Sequence, residues 1–184
     1  MADTGAPHFI PFVEPTDLVR EYPAADEAQA FAVAAGLTAA GNAGIGSNVV
    51  QTVKTDRFTT SSQTFVEVTG TSTSITPTSA TSKVLVIVQG VAGAEAGADV
   101  QLQLRRASTD IYIGTGGGFV NVSGDVDTTQ EHFSLVFLDS PETASSVSYV
   151  LRIGRDGSGS ISVGTNAAGT RGFPTSVTLI EVAA

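Results

Sequence analysis

The chain has 184 residues, enough for one domain of ordinary size with an appendage, and 41% of them are hydrophobic, so it can bury a core of its own. It has no Cys and no Trp, which excludes disulfides and Cys-based metal sites and leaves the redox compartment open. A formal net charge of −9 argues against nucleic acid as a partner, because phosphate contacts need clustered Lys and Arg, and the one adjacent basic pair is Arg105-Arg106.

The start, Met1-Ala2-Asp3-Thr4-Gly5, lacks the basic and apolar regions of a signal peptide. No apolar run has the length of a transmembrane helix. The expectation is synthesis in the cytoplasm without membrane insertion.

Residues 1-23 read as an extended arm. Pro7, Pro11, Pro15 and Pro23 recur through it, each removing an amide that a helix or sheet interior would need. Between and beyond them lie Phe9, Ile10, Phe12, Val13 and Leu18. Large apolar groups on a Pro-stiffened segment either pack across their own domain or dock into grooves of another protein at little ordering cost. Residues 24-46 read as a short helix and a Gly-rich hinge. Pro23 suits the helix start, Asp26 and Glu27 favour its positive end, and the alanines from Ala24 to Ala35 give high propensity. Ala30, Val33 and Leu37 make a narrow seam. That seam fits a helix lying on its own β-domain and equally a short trimeric bundle.

At Ser47 the composition changes to Val, Thr, Ser and Ile, and the domain proper, 47-184, begins. Strands are expected over 49–55, 64–68, 71–76, 84–91, 99–105, 110–114, 131–139, 147–153, 160–163 and 176–182. In Val84-Leu85-Val86-Ile87-Val88 five apolar residues follow one another, four of them β-branched, which predicts a central strand buried on both faces. Val100, Leu102 and Leu104 alternate with Gln101, Gln103 and Arg105, the pattern of a half-buried strand. Asp156-Gly157-Ser158-Gly159 predicts a hairpin turn. About ten short strands at this spacing, with no helical pattern between them, predict an all-β fold: an antiparallel β-sandwich or jelly-roll-like domain behind a Pro-rich arm and a short helix.

Several of these stretches carry a resemblance. Val50-Gln51-Thr52-Val53-Lys54-Thr55-Asp56, Phe58-Thr59-Thr60-Ser61-Ser62 and Phe65-Val66-Glu67-Val68-Thr69-Gly70 come first. The run from Ser74-Ile75-Thr76-Pro77-Thr78 through Val86, then Leu138-Asp139-Ser140-Pro141-Glu142-Thr143 and the final Val177-Thr178-Leu179-Ile180-Glu181-Val182-Ala183 continue the series. Together they resemble a β-module of tail and head fibres of tailed bacteriophages, notably phages of aquatic bacteria. Pro11-Phe12-Val13-Glu14-Pro15-Thr16-Asp17-Leu18-Val19-Arg20 is similar to the virion-anchoring start of phage fibre proteins. The resemblance covers nearly the whole chain and consists of structural motifs. It implies a virion structural protein, a homotrimer gripping tail or capsid proteins through Phe9, Ile10, Pro11, Phe12, Val13, Pro15 and Leu18. The β-domain would then project toward the host surface. The chain has no shaft, so a head fibre or capsid decoration protein without a receptor role fits the same features.

No catalytic constellation is legible. His8 and His132 share no spacing with carboxylates that suggests a metal, and Asp125-Val126-Asp127 lacks the further ligands of a calcium loop. Gly114-Thr115-Gly116-Gly117-Gly118 lacks the Lys and Ser/Thr of a phosphate loop. No cofactor is expected. Tyr112, Phe119 and Asn121 flank that glycine run; aromatics with an amide suit a host-surface glycan, whereas the plainer reading is a loop packed on its neighbour. A carbohydrate-binding or depolymerase module would need paired carboxylates in a cleft, and Glu67, Asp99, Asp125 and Asp127 are scattered.

Overall fold

A computed structural model describes residues 45–112, 118–125, 129–165 and 172–183, all within one compact unit spanning Ala43–Ala184. The expected arm and helix, with Phe9, Ile10, Pro11, Phe12, Val13, Pro15, Leu18, Ala30, Val33 and Leu37, lie outside the described residues.

The described residues form twelve strands: β1 (Ile45–Lys54), β2 (Phe58–Thr60), β3 (Val66–Glu67), β4 (Thr73–Ile75), β5 (Lys83–Ala94), β6 (Ala98–Arg106), β7 (Thr109–Tyr112), β8 (Val120–Ser123), β9 (Thr129–Asp139), β10 (Val147–Gly157), β11 (Ile161–Val163) and β12 (Thr175–Val182). They make two antiparallel sheets. In the first, β5 is paired along one edge by β9, and along the other by β12 and then β11; β1 flanks β12 and β2 flanks β11. In the second, β10 and β6 pair along nine residues, β4 and β3 line the free side of β10, and β7 and β8 line the free side of β6.

The sheets pack face to face over one apolar core. Val84, Val86 and Val88 of β5, Phe133 and Leu135 of β9, and Val177 and Leu179 of β12 meet Val100, Leu102 and Leu104 of β6 and Tyr149, Leu151 and Ile153 of β10. Each set sits at every second position, so the pleat aims all of it inward. The all-β sandwich expected from the alternation is the fold observed. Two short strands, β2 and β8, were not expected; Phe58-Thr59-Thr60 and Val120-Asn121-Val122-Ser123 are three and four residues long, too short for a period-two pattern to stand out.

Two expectations are corrected. The turn at Asp156–Gly159 is real, but β10 and β11 belong to opposite sheets, so it is a crossing between layers and not a hairpin. The central run is buried on its inner face only. Val84, Val86 and Val88 are inaccessible, whereas Leu85 and Ile87 are half-buried on the outer face, shielded by neighbouring strands and by no third layer among the described residues.

Three crossings gather at one end and lock each other. At the β5–β6 turn the Ala98 amide donates to the Glu95 carbonyl, with Gly97 at φ +79°. The Gly97 amide donates to the Gly124 carbonyl, the Gly124 amide to Ala98, and the Ser158 amide to Gly97, each at 2.8 Å. The Ser160 amide donates to the Glu95 carboxylate at 2.7 Å. Backbone this close leaves no room for a side chain: a Cβ on Gly124 would lie 2.0 Å from the Glu95 carbonyl oxygen.

At the other end the layers are tied by a buried polar strut. Asp139, at the end of β9, accepts from the Tyr149 hydroxyl at 2.7 Å and from the Arg106 guanidinium at 2.8 and 2.9 Å. Burial first, and then the bond to Asp139, push the Tyr149 phenol above its ordinary value, so it stays protonated as the donor.

Gly124→Ala should lower the urea midpoint by an amount equivalent to about 1–3 kcal/mol, the usual cost of forcing an overpacked site. Tyr149→Phe should cost about 1 kcal/mol, because Arg106 still satisfies Asp139. Asp139→Ala should cost several-fold more, since it strands the buried Tyr149 hydroxyl and leaves Arg106 with the Ser140 carbonyl alone; equal losses for Tyr149→Phe and Asp139→Ala would show that the strut is not the tie between layers.

Candidate functional site

The two outer faces of the sandwich differ in kind. The outer face of the β10–β6 sheet is charged, and its charges are paired with one another. Arg105 and Arg152 both reach Asp110, at 2.7 and 3.2 Å, and Arg152 also donates to the Gln103 side-chain carbonyl at 2.6 Å. The Arg105 guanidinium, with Arg152 behind it, holds the Asp110 carboxyl below the usual carboxylate range. Phe65 lies over Gly154, with the Arg152 guanidinium 5.8 Å from its ring centre. The basic pair singled out in the sequence is thus divided between two ion pairs, Arg105 with Asp110 and Arg106 with Asp139.

The outer face of the β5 sheet is uncharged across its middle. Register sets its rows. Val49, Ile180, Leu85 and Leu138 stand side by side across β1, β12, β5 and β9. Gln51, Thr178, Ile87 and Val136 form the next row, and Val53, Ser176, Gln89 and Ser134 the third. Val49, Val53, Val136 and Leu138 are 52%, 49%, 63% and 47% exposed, and they are the large apolar side chains left exposed among the described residues. All four lie on this one face. They are the most exposed because β1 and β9 are its flanking strands, with a neighbour on one side only among the described residues.

The third row runs into an open groove of about 600 Å³, where Val53, Gln89, Ser134 and Ser176 meet His132 and Phe173. The His132 and Phe173 rings are edge to face, 6.1 Å apart. Gly90 allows the groove floor to form here: a Cβ on it would lie 2.8 Å from both Phe133 Cζ and Thr175 Oγ1 beneath the sheet. The groove carries neutral polar and apolar groups and no carboxylate pair. Among the described residues no group of three or more His, Cys, Asp or Glu could hold a metal ion.

The residues expected to face a receptor lie along one edge of β6. Phe119 is half-buried and packs against the core, with its amide donating to the Leu102 carbonyl at 2.7 Å. Tyr112 ends β7, and Asn121 of β8 pairs with Gln101 of β6. The stretch 113–117 between them lies outside the described residues.

Sequence reasoning missed Glu181. It is fully buried on β12, where the alternation predicts an ordinary inward position. Its carboxylate accepts from the Thr78 amide at 2.7 Å, from the Thr78 hydroxyl at 2.6 Å and from the Asn48 amide at 3.4 Å. Burial pushes the carboxyl up, but the Thr78 donors and Asn48 outweigh it and hold Glu181 below its ordinary value of 4.5. The acid within an apolar alternating strand was the available signal.

No family model matches the chain, and no curated protein matches it. Among solved structures the chain is similar to infectious bursal disease virus, Gx strain, with a TM-score of 0.35 at 14% identity over 74% of this chain and 36% of that one. The Gt strain gives 0.35 at 14% identity over 74% and 38%. T=1 particles derived from infectious bursal virus give 0.28 at 13% identity over 76% and 37%. The chain spans little more than a third of the length of these proteins.

Because the folded value of Glu181 is depressed, its contribution to stability is present above the unfolded carboxylate value and lost as pH falls through the folded one; Asp110 acts in the same direction. The thermal midpoint should therefore fall on acidification below about pH 4. Glu181→Gln should lower the midpoint at neutral pH and flatten that acid limb. A variant that melts in parallel with wild type at every pH would remove Glu181 from the account.

Proposed function

We propose that this chain is a virion structural protein, a short homotrimeric fibre or decoration protein of the tailed-phage type. Residues 9–18 anchor it to tail or capsid proteins, and its β-sandwich projects toward the host surface. It works by packing and multivalent contact, without catalysis.

The observation that carries this reading is where the resembling stretches meet. Thr78, in the run from Ser74 to Val86, donates twice to Glu181, in the final run Val177–Ala183, across 103 residues of chain. Asp139, in the run Leu138–Thr143, is the acceptor of the inter-sheet strut. The run Val50–Asp56 pairs with the final run through β1 and β12. The stretches that resemble phage fibres thus clasp one another as a single structural unit, which supports a shared scaffold over a chance likeness of Ser/Thr/Val-rich sequence. The groups that clasp are spent on holding the fold, as expected of a protein whose product is a surface.

Light scattering of the full-length chain should give the mass of a trimer, stable on dilution through the micromolar range. A monomer at all concentrations would overturn the self-assembling fibre.

A further inference from the structure

We infer that the uncharged outer face of the β5 sheet is the surface through which copies of this chain meet, centred on Leu85, Ile87, Val136, Leu138 and Ile180. The inference rests on the self-assembly proposed above and adds to it the location and chemistry of the contact.

Charge points to a copy as the occupant. Each chain carries −9, so two copies repel over most approaches. Across its first three rows the face carries no charged side chain; Lys83 sits at one corner. A copy can therefore dock here without stranding a charge or placing like charges in contact. The opposite outer face carries charged side chains, Arg105, Arg152 and Asp110, already paired to one another.

Shape points the same way. The first row, Val49, Ile180, Leu85 and Leu138, is wholly apolar, and the next two carry Ile87, Val136 and Val53 among Gln51, Thr178, Ser176, Gln89 and Ser134; three such faces turned toward a threefold axis bury that apolar set against one another. Four strands about 4.8 Å apart and seven residues long give a footprint of roughly 450 Å² per copy. Counted on both partners that is about 900 Å², above most lattice contacts and just below the roughly 1,000 Å² of a stable specific interface. A patch of this size matches the largest found on typical monomers, which is often functional.

Val136→Asp and Leu138→Asp test this in the full-length chain, with Ser146→Asp on an exposed loop as the control. Both positions are exposed in the single copy, so the fold should survive, as judged by far-ultraviolet circular dichroism. Each aspartate should raise the dissociation constant at least about tenfold, while the control leaves it unchanged. Wild-type association should tighten, not weaken, as salt rises, because screening relieves the −9 repulsion and no ion pair is lost. Folded aspartate variants that assemble like wild type would overturn the inference and leave the proposed function standing. A monomeric wild type would overturn both. If an aspartate variant fails to fold, Val136→Thr, which keeps the side-chain shape, decides the matter: weakened assembly supports the inference and unchanged assembly overturns it.

Discussion

Strand β5 is held from three directions, and the remainder of the unit follows from that. Its edges are hydrogen-bonded to β9 on one side and to β12 and β11 on the other. Its inner face, Val84, Val86 and Val88, is fully excluded from water by the layer that β6 and β10 supply. β-branched residues suit this position twice over. Their restricted χ1 costs little in an extended chain, and their compact branches fill the gap between pleated layers. Once β5 is placed, register dictates which residues of β9 and β12 share its inner surface. A slip of one residue would exchange Leu135 with Val136 and Leu179 with Ile180, exposing one apolar set and burying the other.

Apolar burial of this kind is insensitive to detail, so the single arrangement depends on polar groups that tolerate one geometry. Asp139 and Glu181 are buried carboxylates on neighbouring strands of β5, and each draws donors from segments far away in the chain. A buried acid without donors would cost more than the burial around it returns, so any alternative pairing that separates Glu181 from Thr78 or Asp139 from Arg106 is penalised. At the far end the same selectivity is achieved mainly with backbone, where Gly97, Gly124 and Gly157 let three layer crossings touch and the Glu95 carboxylate adds one bond. The interior is therefore closed at both ends, while one outer sheet face carries charges paired among themselves and the other is left uncharged, with its exposed apolar side chains gathered there.

That division explains how much was legible in the sequence. The alternation of Val100, Leu102 and Leu104, or of Val177 and Leu179, is a local property of a half-buried strand, and it reads correctly. The run from Val84 to Val88 predicts an apolar environment on both sides, and the apolar residues are there. What the run cannot encode is whether the second side is covered by the chain itself or by something outside it. The turn at Gly157 is legible because its glycine takes a left-handed φ of +74°, but a turn leading across to the other layer uses the same residues as one leading back beside its own strand. Phe119 reads as an aromatic in a glycine-rich loop; only the packing shows it turned toward the core.

The sequence by itself determined the class of fold and the inward set of most strands, because period-two hydrophobicity, β-branching and turn glycines act within a few residues of one another. The tertiary structure alone decided which strands share a sheet, which acids are buried, and which apolar residues are left over. Those outcomes depend on contacts between segments as distant as Thr78 and Glu181, or Arg106 and Asp139, which no local pattern specifies. The row Val49, Ile180, Leu85 and Leu138 is the clearest case: four residues from four strands, unremarkable in their own stretches, become one exposed apolar surface only when register sets them side by side.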